Sequence, residues 1–495
     1  MITQLHTPEQ VANWLRDRVK GHLTTDSRKV GAGDGFIAWP GAAVDARRYV
    51  GEALQVGASA CVVDSAGIQT YGFSDEKIAA YTDLKAAAAP IAAAYYGNPS
   101  RQLQTIAITG TNGKTTTAWW LAQALGKLNR KCGIVGTLGI GLPDALVFNG
   151  LTTPDPVLLQ QQLRRFADDG FAACAIEASS IGITEQRLNA THLNVAVLTN
   201  FTQDHLDYHG SMQAYWAAKE SLFNWSGLQS AIINVDDAKG RALSVKLKAS
   251  NIDVWTVGIN ESASLQAKAI EQHAEGQTFV VVEGVEQQTV YARAIGLYNV
   301  SNLLGVIGAL RALGLSLEHA AHACCNLPAV PGRLNTLSQA GKPLVVIDYA
   351  HTPDALDKVL LALQPVAQAR GGRLWCVFGC GGDRDASKRP LMAATVQKNA
   401  DQIVVTSDNP RRENPAAIIS QILLGLTHSE SVRVQTDRAL AIADAVVSAQ
   451  PNDVVLLAGK GHENYQEIDG IKHPFHDLDH AQKALDARQF SGSAS

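Results

Sequence analysis

Lysine, threonine and two glycines are spaced to hold phosphate in Thr109-Gly-Thr-Asn-Gly-Lys-Thr-Thr116. Gly110 and Gly113 let backbone N–H groups turn toward an anion, Lys114 adds a point charge, and the Thr115 hydroxyl is placed to ligate Mg²⁺ where a helix begins. The pattern G-x-x-G-K-T is two residues shorter than the common phosphate loop. The apolar run Ile106–Thr109 before it reads as a strand, and Ala118–Leu125 after it reads as a helix. The segment is therefore read as an ATP cradle formed by Gly110, Thr111, Asn112, Gly113, Lys114, Thr115 and Thr116.

Two later runs also end in reactive groups. Cys174-Ala-Ile-Glu177 places a carboxylate at the end of an apolar run, followed by Ser179 and Ser180. Val195–Thr199 leads into Asp204-His-Leu-Asp-Tyr-His209, which packs acids and histidines closely together. In an open parallel sheet, ligands gather beyond the strand C-termini. Behind an ATP cradle, Glu177 and His205 become candidates for Mg²⁺, a hard cation that favours oxygen donors.

Positioning these groups requires alternating strands and helices. Residues 1–100 mix a helix at Pro8–Val19 with short β-like runs at Gly35–Trp39 and Ala58–Asp64, and close with the Ala-rich helix Leu84–Tyr96. Gly97-Asn-Pro-Ser100 reads as a linker. Apolar runs then recur at Thr105–Thr109, Cys132–Thr137, Ala172–Glu177, Val195–Thr199 and Ala231–Val235, the rhythm of a parallel sheet covered by helices. After Leu327-Pro-Ala-Val-Pro-Gly332 the rhythm restarts at Pro343–Asp348, Arg373–Gly379, Gln402–Thr406 and Asp453–Ala458. The fold class expected is α/β in three domains, spanning 1–100, 101–334 and 335–495. The small-residue tail Ser491–Ser495 is expected to be disordered.

Composition sets further bounds. The chain has 495 residues, more than one core usually supports. With 42 basic and 46 acidic residues its net charge is −4, which offers no general attraction to nucleic acid or an anionic membrane. Seven cysteines form neither a disulfide framework nor paired zinc spacing, so reduced thiols in a cytoplasmic protein are expected. The N-terminus carries no export-type pattern, and no apolar run approaches the roughly 20 residues a membrane span needs.

The motifs resemble those of the Mur ligases. The phosphate segment, Asp204–His209, Tyr215-Trp-Ala-Ala-Lys219, Asn299-Val-Ser-Asn302, Pro331-Gly-Arg333 and Asp348-Tyr-Ala-His351 occur in that family's order across nearly the whole chain. Gly379-Cys-Gly-Gly-Asp-Arg384, Asp408-Asn-Pro-Arg411 and Ala458-Gly-Lys-Gly-His-Glu463 resemble the branch that adds meso-diaminopimelate to UDP-MurNAc-L-Ala-D-Glu. The resemblance implies an N-terminal UDP-substrate domain, a central ATPase domain and a C-terminal Rossmann-like amino-acid domain. It also implies ATP-dependent amide formation through an acyl phosphate, in a monomer that serves peptidoglycan synthesis.

Residue roles follow from the same resemblance. Lys114, Glu177, His205 and Lys219 would be catalytic. Thr115 and Glu177 would serve one Mg²⁺, and His205 with Lys219, carbamylated by CO₂, a second. Asn299 and Asn302 would meet adenine, Arg333 and Asp348 would approach the ribose, and His351 would lie near the phosphates. Thr25, Ser27, Thr152, Thr153, Ser179, Glu185 and Arg187 would bind the UDP substrate. Arg384, Asp408, Asn409, Pro410, Arg411, Gly459 and Glu463 would bind diaminopimelate, with the Arg411 fork taking its distal carboxylate and Glu463 pairing with its distal ammonium.

The chain departs from the family pattern in places. Gly41-Ala-Ala-Val-Asp45 lacks a His-Gln pair, Ile181 replaces a histidine, and Asn335 replaces an acid. Glu185 stands where a substrate-contacting glutamine is typical, and its charge would repel an anionic substrate unless Arg187 or another cation pairs with it. A lysine-adding relative, a folylpolyglutamate-synthetase-like ligase and a catalytically silent nucleotide-binding scaffold remain as alternatives.

Overall fold

In the computed structural model, residues 2–41, 44–273, 276–427 and 431–488 are described. The altered positions Ala42 and Ala43 and the tail Ser491–Ser495 lie outside them.

Three main sheets follow one another along the chain. The first has five strands, all parallel, ordered Thr3–Gln4, Ile78–Tyr81, Ala60–Asp64, Gly35–Ala38 and Leu23–Thr24. Helices Pro8–Arg16 and Leu84–Tyr95 cover one face around Trp14, Leu15 and Ile91. Gly97-Asn-Pro-Ser100 does not remain an open linker, because Pro99–Gln102 winds into a short 3₁₀ turn.

The second sheet has 11 strands. Its middle is parallel, with Gln104–Thr109 between Ala173–Glu177 and Val195–Leu198. Period-two alternation sends side chains to two cores. Ile106, Ile108, Ala175 and Val197 face helices Lys114–Lys127 and Leu297–Ala312, whereas Ala107, Ile176, Ala196 and Leu198 face Pro156–Asp168 and Met212–Glu220. Strands that pair antiparallel with one another or with the edge flank this middle. Gly139–Leu142 and Ala145–Val147 extend one edge, and Leu265–His273, Gly276–Glu283 and Glu286–Ala292 extend the other.

The third sheet, of six strands, orders Asn335–Leu337, Leu344–Asp348, Val454–Ala458, Leu374–Phe378, Gln402–Val405 and Val432–Val434. All neighbours are parallel except the first pair. Helices cover both faces, so its strands read as continuous apolar runs. Behind them Arg438 and Asp477 form a fully buried ion pair at 2.7 Å, and Arg438 also donates to the Ser407 and Ala458 carbonyls. That network anchors two loops at the strand C-termini from below. Among the described residues, no helix is long and apolar enough to cross a membrane, and all seven cysteines are free.

Candidate active site

The turn after Gln104–Thr109 lies where neighbouring strands run off in opposite chain order, the place where open α/β sheets bind ligands. Gly110 has φ 142° and Gly113 φ 88°, and a Cβ at these positions would run into Thr199 Oγ1 and Asn302 Oδ1 respectively. Only glycine fits both the torsion and the space. Thr111 N–H donates to the Asn200 carbonyl at 2.9 Å and Asn112 N–H to Asn200 Oδ1 at 2.9 Å, which pins the loop between its two glycines. Lys114 Nζ folds back to the carbonyls of Gly110 and Thr111, both at 2.9 Å, and burial lowers its pKa.

Glu177 ends its strand beside Thr115, whose hydroxyl donates to Oε2 at 2.9 Å. Thr137 fixes the carboxylate from the other side, its N–H on Oε1 at 2.9 Å and its hydroxyl on Oε2 at 3.1 Å. Gly136 makes room, since a Cβ there would overlap Glu177 Oε1. The Thr115 hydroxyl and the Glu177 carboxylate thus form a buried oxygen pair at the loop, a donor set suited to Mg²⁺ shared with phosphate oxygens. No cluster of three or more His, Cys, Asp or Glu forms a metal cage among the described residues, so such an ion would rely on this hydroxyl–carboxylate pair and on phosphate oxygens.

Lys219 is 1% exposed at the end of Met212–Glu220. Its Nζ donates to Gly110 O at 2.8 Å and lies 4.6 Å from the Tyr215 ring centroid. Burial, reinforced by the Lys114 cation, pushes its pKa well below the usual lysine range, although Asp204 pulls the other way. His205 adopts a left-handed φ of 53°, with its N–H on Asp204 Oδ1 at 2.9 Å. Burial outweighs Asp204 and lowers the imidazole to about 4, so at neutral pH it is an uncharged potential ligand.

Residues at the junction with the C-terminal domain close over this loop. Arg333 stacks 4.5 Å from the Tyr349 ring centroid and reaches Thr115 Oγ1 at 3.4 Å. Asp348 accepts the N–H groups of Leu334 and Ala350, both at 2.8 Å. Asn112 Nδ2 donates across the interface to Asp354 Oδ2 at 2.8 Å. A cavity of 220 Å³ results, lined by the loop together with Asn299, Asn302, Arg333, Asp348 and His351.

A larger cavity of 710 Å³ adjoins it, and Asp204, His205, Tyr349 and His351 line both. From the central domain Thr152, Ser179 and Arg187 face this second space, and from the C-terminal domain Arg384, Asp408, Asn409, Arg411, Gly459 and Glu463 do. Thr153 supports from behind, its hydroxyl donating to Glu177 O at 2.6 Å and bonding Ser179 Oγ at 3.0 Å. Pro410 lies buried between Asn409 and Arg411.

Several side chains depart from expectation. Thr25 and Ser27 are not in either cavity lining; Ser27 opens a 3₁₀ turn capped by Asp26. Glu185 is not paired with Arg187, which donates instead to Thr153 O at 2.9 Å. Its partners are Lys85, reaching over from the N-terminal domain at 2.7 Å, and the Tyr208 hydroxyl at 2.5 Å; Lys85 first and Tyr208 second hold its carboxyl below the usual range. Glu463 Oε2 is engaged internally, accepting from Lys460 Nζ at 2.9 Å and Asn409 Nδ2 at 2.8 Å. Arg411, at φ 52°, donates Nη1 to Gly382 O at 2.7 Å, with Glu467 Oε2 3.5 Å from Nε. Burial raises Asp408, but Lys460 and Arg438 leave it lowered overall.

Thr137, Lys85, Lys388 and Lys460 escaped the sequence reading. Lys460 stands inside a motif already singled out, and Lys388 four residues beyond Arg384, but neither spacing shows that its side chain is buried.

A phosphate-loop sheet facing a second doubly wound sheet across a shared cleft defines a three-domain α/β enzyme architecture. The Mur ligase middle domain matches residues 108–310, and the Mur ligase, glutamate ligase domain matches residues 332–461. The chain belongs to the Mur ligase family. It is 55% identical over 491 residues, 98% of either chain, to the UDP-N-acetylmuramoyl-L-alanyl-D-glutamate--2,6-diaminopimelate ligase of Acidovorax sp. (strain JS42). It is 45% identical to the ligase of that name from Pseudomonas aeruginosa, covering 95% of this chain and 96% of the relative. A solved structure of a ligase so named is 34% identical with a TM-score of 0.64, covering 94% of both chains. MurF from Acinetobacter baumannii, 19% identical with a TM-score of 0.69 over 97% of this chain and 98% of its own, shares the fold.

Proposed function

We propose that this chain joins meso-diaminopimelate to UDP-MurNAc-L-Ala-D-Glu at the expense of ATP, releasing ADP and phosphate, as a cytoplasmic monomer in peptidoglycan synthesis. The observation that carries the reading is the pair of adjoining cavities. The phosphate loop opens on one, and the second is lined by acceptor candidates from one domain and amino-acid candidates from the other. Residues 1–100 would hold the uridine end with Thr25 and Ser27, 101–334 would hold ATP, and 335–495 the incoming amino acid.

A carboxylate and an amine do not condense in water, because carboxylate oxygen is a poor leaving group. An oxygen of the D-Glu γ-carboxylate attacks the γ-phosphorus of ATP, and ADP departs. The diaminopimelate amine then adds to the acyl carbonyl and loses a proton, and the tetrahedral intermediate collapses with loss of phosphate. Lys114 clamps the phosphate oxygens, Asn299 and Asn302 seat the adenine, and Arg333 and Asp348 approach the ribose. Thr115 and Glu177 would hold one Mg²⁺, and His205 with a carbamate on Lys219 a second; bound magnesium supplies charge that neutralises the phosphates. Arg384, Asn409 and Arg411 orient the amino acid, so closure of the domains brings both reactants into register.

Incubation with UDP-MurNAc-L-Ala-D-Glu, ATP and Mg²⁺ tests the reading, comparing meso-diaminopimelate, L-lysine and no amino acid. ADP release with diaminopimelate alone, accompanied by the tripeptide, is the expected result; a preference for lysine, or no release with any of the three, contradicts it.

A further inference from the structure

Two side chains of the C-terminal domain converge on one carboxylate of the central domain. Lys388 Nζ lies 3.5 Å from Asp204 Oδ1, and His351 Nε2 lies 3.9 Å from Asp204 Oδ2. Both partners of the Lys388–Asp204 pair are only 8% exposed. One residue earlier, Gln203 Nε2 donates to Ser387 Oγ at 3.2 Å and to Asp385 Oδ2 at 3.4 Å. The central-domain segment Gln203–Asp204 is thus docked on Asp385–Lys388, the stretch that joins the amino-acid candidate Arg384 to helix Lys388–Asn399.

Asp204 has two further contacts, both with His205. It accepts the His205 N–H at 2.9 Å and faces His205 Nε2 at 3.5 Å. These contacts bear on a histidine in a left-handed conformation, which a non-glycine residue adopts only when its surroundings over-determine it. Asp204 also lines both cavities, so it stands where the two adjoin. A buried cation supplied by one domain to a carboxylate of another is satisfied only when the domains are docked. Separation leaves Asp204 without its main counter-charge, a change far costlier than breaking a surface pair.

We propose that Lys388 is a positioning residue that acts through Asp204 to align His205 only when the amino-acid domain is docked on the phosphate-loop domain. The proposal rests on the reading of His205 as a residue facing a divalent cation beside ATP. It makes that geometry contingent on closure, so that an open enzyme does not spend its nucleotide on water. It also couples the two sites thermodynamically, and the coupling is reciprocal.

The test compares the full-length wild type with Lys388→Met, Lys388→Arg, Asp204→Asn and the Lys388→Met/Asp204→Asn double variant. Two readouts serve: Mn²⁺ affinity by electron paramagnetic resonance in the presence of AMPPNP, and radius of gyration by X-ray scattering under the same conditions. Lys388→Met and Asp204→Asn should each weaken Mn²⁺ binding roughly tenfold and enlarge the radius, and the double variant should be no worse than the weaker single. Lys388→Arg should stay within about threefold of wild type. Should circular dichroism show that the Met variant does not fold, Lys388→Gln takes its place in the same cycle. Additive losses in the double variant, or wild-type Mn²⁺ affinity and radius in the variant lacking the cation, overturn the proposal. Neither readout uses the amino acid, so failure of diaminopimelate ligation leaves this result interpretable.

Discussion

Lys114 and Lys219 donate to the same carbonyl oxygen, that of Gly110, at 2.9 and 2.8 Å. Two ammonium groups cannot share one buried carbonyl without mutual repulsion, and burial with the Lys114 charge drives Lys219 toward the neutral amine. A neutral amine is the form that captures CO₂, and the resulting carbamate would exchange the repulsion for an attraction to Lys114. Lys219→Ala should lower kcat by at least ~100-fold, the scale of losing one fixed electrostatic group. Short-chain carboxylic acids should restore part of it, and ¹³C-bicarbonate should give a carbamate resonance in wild type alone. Normal activity in the unrescued variant would remove the carbamate from the mechanism.

Arg411 presents its guanidinium to the larger cavity while Gly382 O holds one nitrogen. Charge-assisted bonds to a carboxylate are worth about 1.5–3 kcal/mol, so Arg411→Ala should raise the diaminopimelate KM by roughly 10- to 150-fold. The ATP KM should move less than about threefold, since Arg411 is not in the nucleotide cavity. Equal effects on both would argue against a role in selecting the side chain.

Gly136 has a function that only the structure reveals: it leaves space for the Glu177 carboxylate. Gly136→Ala should push that carboxylate off Thr115, lowering kcat about tenfold or more at a stability cost of about 1–3 kcal/mol. Gly126→Ala is the control, because an added Cβ there meets nothing within 4 Å; it should match or exceed wild-type stability by up to about 1 kcal/mol. Unchanged turnover in Gly136→Ala would show that Glu177 tolerates displacement.

Glu185 is tied to Lys85 and Tyr208, so its charge is answered before any substrate arrives. Half-exposed pairs of this kind contribute about 0–1 kcal/mol. Glu185→Gln should therefore change stability by no more than that, and steady-state kinetics should give an acceptor KM within about threefold of wild type. A much tighter acceptor KM would mean that the carboxylate still opposes the substrate.

Acid should destabilise the protein through its buried imidazoles. Burial, helped by the Arg333 and Lys460 cations, lowers His462 from 6.5 to about 3, and burial lowers His205 to about 4. Between the folded and unfolded values the unfolded chain holds more protons, so stability rises with pH across that window. It is complete above about 6.5 and lost as pH falls toward the folded values. Thermal unfolding should show Tm falling from pH 6.5 to 4, with a shallower slope in His462→Gln. An identical slope in that variant would exclude His462 from the effect.

The sheet strands were legible because runs such as Val195–Leu198 and Val454–Ala458 are apolar throughout and buried on both faces. The edge hairpins were not. Leu265–His273 carries Lys, Glu and His on its exposed side, and a bulge between Lys268 and Glu271 breaks its alternation. In the site, the phosphate loop could be read from glycine and lysine spacing. The partnership of Glu185 with Lys85 joins residues 100 positions apart in different domains, and no local pattern records it. Glu463 was readable as an amino-acid candidate, but its prior engagement by Lys460 depends on how Gly459 and Gly461 turn the loop, both at positive φ.

Isotope transfer tests the central claim most directly. The acceptor would carry ¹⁸O in its D-Glu γ-carboxylate, and the enzyme would turn over with ATP, Mg²⁺ and meso-diaminopimelate. Activation of the carboxylate by ATP predicts one ¹⁸O in each phosphate released, together with the tripeptide product; unlabelled phosphate, or phosphate formed at the same rate without the amino acid, would contradict it.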